Sequence, residues 1–295
     1  MLRSVSFNIG VVCFYRLCRG LLGLVFSIFV WTDLGAFPPN PHYTIFGMVR
    51  DQVGNTLQVE GAELVLLSNT VEIGRAPIRT TPVMDLNYEL DIRIDQARPT
   101  TRVYTANAVA SRGLYSLYVV MNGERYYPIE VAGNLRAGNG GERVRLDLTL
   151  GADANKDGLP DVWQEWVLFQ AGRTPGTPGW SIDLITRSGD FDGDGISNWD
   201  EYVAGTFAGD ATKTFELKLT GKTQTTVTFE FFALTGKVYS LEESADLKTW
   251  SAATLAISTA PATTALFYRA TSSGVKSGSV AVGPGQSRFY HLVVR

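Results

Sequence analysis

Asp190-Phe191-Asp192-Gly193-Asp194-Gly195-Ile196-Ser197-Asn198-Trp199-Asp200-Glu201 sets side-chain oxygens at the first, third, fifth, ninth and twelfth places of a run of twelve, with glycine at the sixth. Three aspartates drawn towards one point repel one another. At about 6 Å and an effective dielectric of ~20, each pair costs roughly 3 kcal/mol. A divalent cation removes that cost, and the order of the oxygens is that of a twelve-residue calcium loop. Gly195 permits the sharp turn that brings both halves round the ion. Ile196 offers a backbone carbonyl and is expected to turn its side chain into a core. Glu201 closes the shell with a bidentate carboxylate. The ligand set so read is Asp190, Asp192, Asp194, Ile196, Asn198 and Glu201.

A second copy stands upstream. Asp153, Asn155, Asp157, Gly158, Leu159 and Asp161 repeat places one, three, five, six, seven and nine. The twelfth place differs. It is Gln164, and the nearest carboxylate, Glu165, falls one residue late. An amide is a weaker and usually monodentate ligand for a hard cation. The expectation is one to two calcium ions, with the first loop the weaker site.

Each loop runs into a short helix. After the first, Val162, Trp163, Trp166, Val167 and Phe169 recur at mixed three- and four-residue spacing, and Gly172 is a candidate stop. After the second, Ser197 with Asp200 resembles a capping box, and Gly205 ends the helix. Trp163, Trp166 and Trp199 read as core aromatics of this helical pair. The units are loop–helix, EF-hand-like halves. On these motifs, residues 151–212 resemble the dockerin-type and thrombospondin type 3-type paired calcium repeats of secreted bacterial proteins. That resemblance implies a metal-binding module of extracellular proteins.

Both flanks read as β-rich. In residues 37–150, residues 44–50 and 62–67 are strand candidates, and residues 88–94 alternate apolar and charged with period two. Asn122-Gly123 between residues 117–121 and 124–127 is the strongest hairpin signal. Val144, Leu146, Leu148 and Leu150 alternate up to the first loop. The opening strand–turn–strand, from Tyr43 to Leu67, resembles carboxypeptidase-regulatory-like and Cna B-type sandwiches of surface proteins. Residues 37–150 contain no lysine, so the Lys–Asn cross-link that some of those domains carry cannot form inside this region. In residues 213–295, residues 226–232 alternate, then a turn at 234–237 leads into 238–242. Residues 251–264 read as loop or weak strand. This stretch resembles a C-terminal sandwich found after such calcium repeats. The fold expected is mainly β: two β-sandwich domains, 37–150 and 213–295, joined by a small α-helical calcium-loop pair at 151–212.

The chain has 295 residues and a formal net charge of −3, with its dense acidic clusters confined to the two loops. No basic stripe marks a nucleic-acid surface. Arg3, Arg16 and Arg19 precede the apolar residues 21–31, and Leu34-Gly35-Ala36 offers a cleavage position. Residues 1–36 therefore read as an export signal, with an uncleaved anchor as the alternative. The apolar run is short for a bilayer span, so no membrane span is expected in the mature chain. Cys13 and Cys18 both lie in that segment, which leaves no disulfide to stabilise the rest.

No HExxH, GxSxG or phosphate-cradling GxxxxGK[ST] occurs. His42 and His291 have no sequence neighbours that complete a catalytic set. The expectation is a secreted, modular, non-catalytic protein whose calcium rigidifies the joint between two β domains. The alternative is a carbohydrate- or protein-binding module, dockerin-like or adhesive, with its surface on a sandwich. Tyr115, Tyr118, Tyr126 and Tyr127 could then form a platform for sugar rings, or simply fill the core. The polysaccharide or protein partner is not named by any motif.

Overall fold

The alternation at residues 88–94 is realised residue by residue in the computed structural model, which describes residues 40–95, 107–131, 135–258, 263–283 and 287–295. Strand Tyr88–Ile92 buries Tyr88, Leu90 and Ile92 and exposes Glu89 and Asp91. It pairs antiparallel with Tyr43–Gly47, whose other edge pairs parallel with Arg143–Arg145. The parallel partner is not local, so strand alternation at 144–150 did not reveal it. A second sheet orders Leu135–Arg136, Leu114–Met121, Glu63–Ser68 and Val71–Pro77, with Glu124–Tyr126 paired to Leu114–Met121. Asn122 and Gly123, at φ 52° and 83°, make the tight turn of that hairpin. Ile45 and Leu90 of the first sheet join Leu64, Leu66, Leu117 and Val119 of the second in one buried cluster.

The C-terminal third repeats the plan with a different topology. One sheet orders Lys218–Lys222, Thr226–Ala233, Gly274–Ala281, Leu255–Ile257 and Thr263–Ala265. The other centres on Val238–Ser244, flanked by Ser251–Ala253, Tyr268–Arg269 and Phe289–Val294. Phe229, Phe231, Leu255 and Ile257 of one sheet meet Tyr239 and Leu241 of the other. Part of residues 251–264 is thus regular strand, not loop. The protein is mainly β with several sheets, in keeping with the sandwich class. Among the described residues, no helix is long and apolar enough to cross a membrane. The expected export signal at 1–36, with Cys13 and Cys18, lies outside the described residues.

Between the two β regions stand helix α1 (Asp161–Gln170) and helix α2 (Asn198–Ala204). They share a third buried cluster of Leu159, Trp163, Val167, Leu168, Ile185, Tyr202, Val203 and Ala208. Val294, from the last strand, packs against it. Helix α1 buries Trp163, Gln164, Val167 and Leu168 on one stripe. Trp166 is exposed instead of filling the core, and it packs edge-on against Phe207. Trp163 and Trp199 both lie against Tyr202.

Three side chains, those of Tyr202, Lys237 and Asp85, tie the β regions to α2 and to each other. The Tyr202 hydroxyl donates to the Asp51 carbonyl at 2.7 Å. The buried Lys237 Nζ donates to the Gly54 carbonyl at 2.5 Å and to the Val203 carbonyl at 2.6 Å. Asp85 accepts from Arg145 at 2.7 Å and from Arg295 at 2.8 Å. Gly54 is the turn residue that makes the approach possible. Its φ is +82°, and a Cβ there would stand 2.4 Å from the Tyr202 carbonyl oxygen.

Candidate metal centre

The two loops are built on one pattern of side chains closing on the backbone. In the second, Asp190 accepts from Gly193 N–H at 2.7 Å and Gly195 N–H at 2.8 Å. Asp192 accepts from Asp194 N–H at 3.2 Å, and Asp194 accepts from Ile196 N–H at 2.7 Å. In the first, Asp153 accepts from Asp157 N–H at 3.1 Å and Gly158 N–H at 3.0 Å, and Asp157 accepts from Leu159 N–H at 2.8 Å. The ninth residue clamps each loop to its second: Asp161 accepts from Ala154 N–H, and Asn198 from Phe191 N–H at 3.1 Å. Asn198 also donates to the Thr186 carbonyl at 2.7 Å, so its whole amide is engaged in holding the loop. The glycine at the sixth place has positive φ in both, 87° at Gly158 and 94° at Gly195.

Helix α2 brings the twelfth residue back over the second loop. Ser197 caps it by accepting from Asp200 N–H at 3.1 Å, and Gly205 ends it in the left-handed conformation. One oxygen from each of Asp190, Asp192 and Asp194 lies within 4.8 Å of the others. Glu201 is fully buried, and neither of its carboxylate oxygens has a partner. Asp192 Oδ2 and Asp194 Oδ2 are buried and unpartnered as well. Burial, with the charges of Asp192, Asp194 and Asp190 added, pushes the Glu201 carboxyl up to about 8. Burial and the Asp194 and Asp190 charges raise Asp192 too, while the Gly195 and Gly193 N–H groups lower Asp190.

Four buried oxygens on Asp192, Asp194 and Glu201 make no hydrogen bond within the protein, and the raised Glu201 carboxyl marks the cost of gathering these charges without a cation. Buried anionic oxygens are paired or coordinate a metal. An oxygen-only donor set with a carboxylate at the twelfth place fits a hard divalent cation, calcium first. Ile196 stands differently from the sequence expectation. It is half-buried and lines a cleft with Arg50, Trp199 and Val294, outside the buried cluster.

The first loop leaves one such oxygen, Gln164 Oε1, on an amide and not on a carboxylate. Gln164 is fully buried at the twelfth place, and Glu165 is exposed on α1, so the late carboxylate is not turned towards the loop. The Gln164 amide nitrogen donates to Asp157 Oδ2 at 2.7 Å and to the Ile185 carbonyl at 2.8 Å. Asn155 donates to the same Asp157 oxygen at 3.3 Å and to Asp183 at 3.1 Å. Leu159 is in the helical core as expected.

Two further sites differ from the sequence reading. His291 does have a partner: Glu242 lies opposite it in the strand register, 2.9 Å away, with Trp250 stacked on the ring at 4.0 Å. Only knowledge of the pairing of residues 289–294 with 238–244 could have found it. Of the four tyrosines, Tyr115 and Tyr118 are buried and only Tyr126 and Tyr127 are exposed. Comparisons with protein-family models, curated proteins and solved structures return no match, so the reading of this centre rests on its own geometry.

Proposed function

We propose that residues 190–201 bind calcium and that the ion braces α2 as the keystone between two β-sandwich domains of a secreted, modular, non-catalytic protein. Glu201 carries the reading: a fully buried carboxylate with no partner for either oxygen, facing three aspartates. Asp190, Asp192, Asp194 and Glu201 would hold the ion, which supplies the positive charge that these groups lack.

The next two residues make the connection to the fold. Tyr202 reaches Asp51 of the N-terminal β region, and the Val203 carbonyl receives Lys237 of the C-terminal one. Holding Glu201 therefore holds both contacts. Loops of this type in extracellular modules bind in the ~10⁻⁴–10⁻³ M range. At millimolar calcium a ligand that binds only the folded state then contributes about 1 kcal/mol. That suffices to brace a helix already packed on both sides.

The test is a pair of thermal melts, in 2 mM (about the extracellular level) calcium and in excess EDTA, with terbium luminescence sensitised by Trp199. Higher melting in calcium and a terbium signal displaced by calcium are expected. Superimposable melts with no terbium signal defeat the reading. The alternative, a glycan- or protein-binding surface on the N-terminal sandwich, narrows to Tyr126 and Tyr127, the exposed pair on the hairpin.

A further inference from the structure

We infer that the chain takes up one calcium ion, not two, and that Gln164 is the residue that closes the first loop to metal. The inference rests on the calcium reading of the second loop and extends it to its copy. The loops share the closures made by the second-, sixth- and seventh-place N–H groups, and they differ in what meets the oxygen at the fifth place. In the second loop that oxygen, Asp194 Oδ2, is buried with no partner. In the first it is Asp157 Oδ2, which receives N–H groups from Gln164 and Asn155. The amide hydrogens stand where a cation's charge would be needed.

With the Gln164 oxygen unpartnered on the other side of its amide, a cation could replace those hydrogens at Asp157 Oδ2 only if the amide turned over. Its oxygen would then face the Ile185 carbonyl, another acceptor, and both hydrogen bonds would be lost. Charge acts in the same direction. Residues 190–201 carry five carboxylates and no cation, whereas residues 153–164 carry three with Lys156 among them. Arg187 adds a guanidinium beside the first loop, donating to the Gly158 carbonyl at 2.9 Å while its flat face covers Trp199 at 3.3 Å. The first loop is thus a calcium-loop backbone closed by the protein's own donors.

Native mass spectrometry and calorimetry of the full chain with calcium chloride count the ions directly. One ion is expected in the wild type, two in Gln164→Glu and none in Glu201→Gln. Two ions in the wild type overturn this inference and leave the second loop's assignment standing, whereas a single wild-type ion that survives in Glu201→Gln counts against the second loop as its site and overturns both. A Gln164→Glu protein that folds yet still binds one ion removes Gln164 as the determinant. If that variant does not fold, the wild-type and Glu201→Gln counts decide. No ion in the wild type defeats the calcium reading itself, and this inference with it.

Discussion

The loops at 153–164 and 190–201 have the same ninth-to-second clamp and the same fully buried twelfth position, yet the fifth-place carboxylate oxygen has donors in one and none in the other. An amide in place of a carboxylate makes the difference. Gln164 brings hydrogens to Asp157, whereas Glu201 brings another carboxyl into the field of Asp190, Asp192 and Asp194, which raises it. A repeated backbone therefore does not imply a repeated ligand. One copy can keep the shape as structure after the other has kept it as a site.

The comparison breaks most sharply at the third place of each loop. Asp192→Ala removes one charged ligand, and calorimetry should show calcium affinity reduced on the order of 100-fold. Asn155→Ala, the counterpart, should leave affinity unchanged within about twofold, because the first loop is a separate site. Equal losses would show that both loops share the ion load. Next in size is Gln164→Ala, which strips Asp157 Oδ2 and the Ile185 carbonyl of a shared donor. Urea unfolding should register a loss of about 2 kcal/mol, equal in calcium and in EDTA. A loss seen only in EDTA would mean that calcium supports the first loop too.

The junction beside α2 sharpens the contrast through pH. Burial pushes Lys237 from 10.5 down to about 7. The two hydrogens of the neutral amine match its two carbonyl acceptors. Between these values the unfolded chain holds the extra proton, so stability rises with pH and is lost as pH falls to 7. Urea titrations of wild type against Lys237→Met from pH 7 to 9 should differ in slope by at most about 1.4 kcal/mol per pH unit, wild type gaining. Parallel slopes would place a charged lysine in the joint. The smallest effect is that of Tyr202→Phe, which deletes one hydrogen bond to Asp51, about 1 kcal/mol. Its calcium-dependent melting shift should shrink if the ion and the joint are coupled, and stay constant if they are not.

What could be read in the linear chain was whatever is local. The alternation from Tyr88 onwards, the Asn122-Gly123 hairpin, the Ser197 cap and the ordered oxygens of both loops depend on neighbours a few residues away. What could not be read depends on distant pairing. Arg143–Arg145 finds Tyr43–Gly47 across the N-terminal region, and His291 finds Glu242 across a strand pair. Gln164 was legible as a poorer ligand, but not as a donor, because its acceptors are fixed only when Ile185 folds over it. Trp166 was assigned inward on spacing alone. The stripe that α1 buries runs instead through Trp163, Gln164, Val167 and Leu168.

Val294 has a consequence for the order of events during synthesis. The strand that carries it pairs with Val238–Ser244, yet the side chain packs against the helical cluster of the middle region. That cluster stays open at one corner until residues 289–294 have emerged. The acidic bend is complete about ninety residues earlier, so the helical cluster is sealed only after the site beside it has formed.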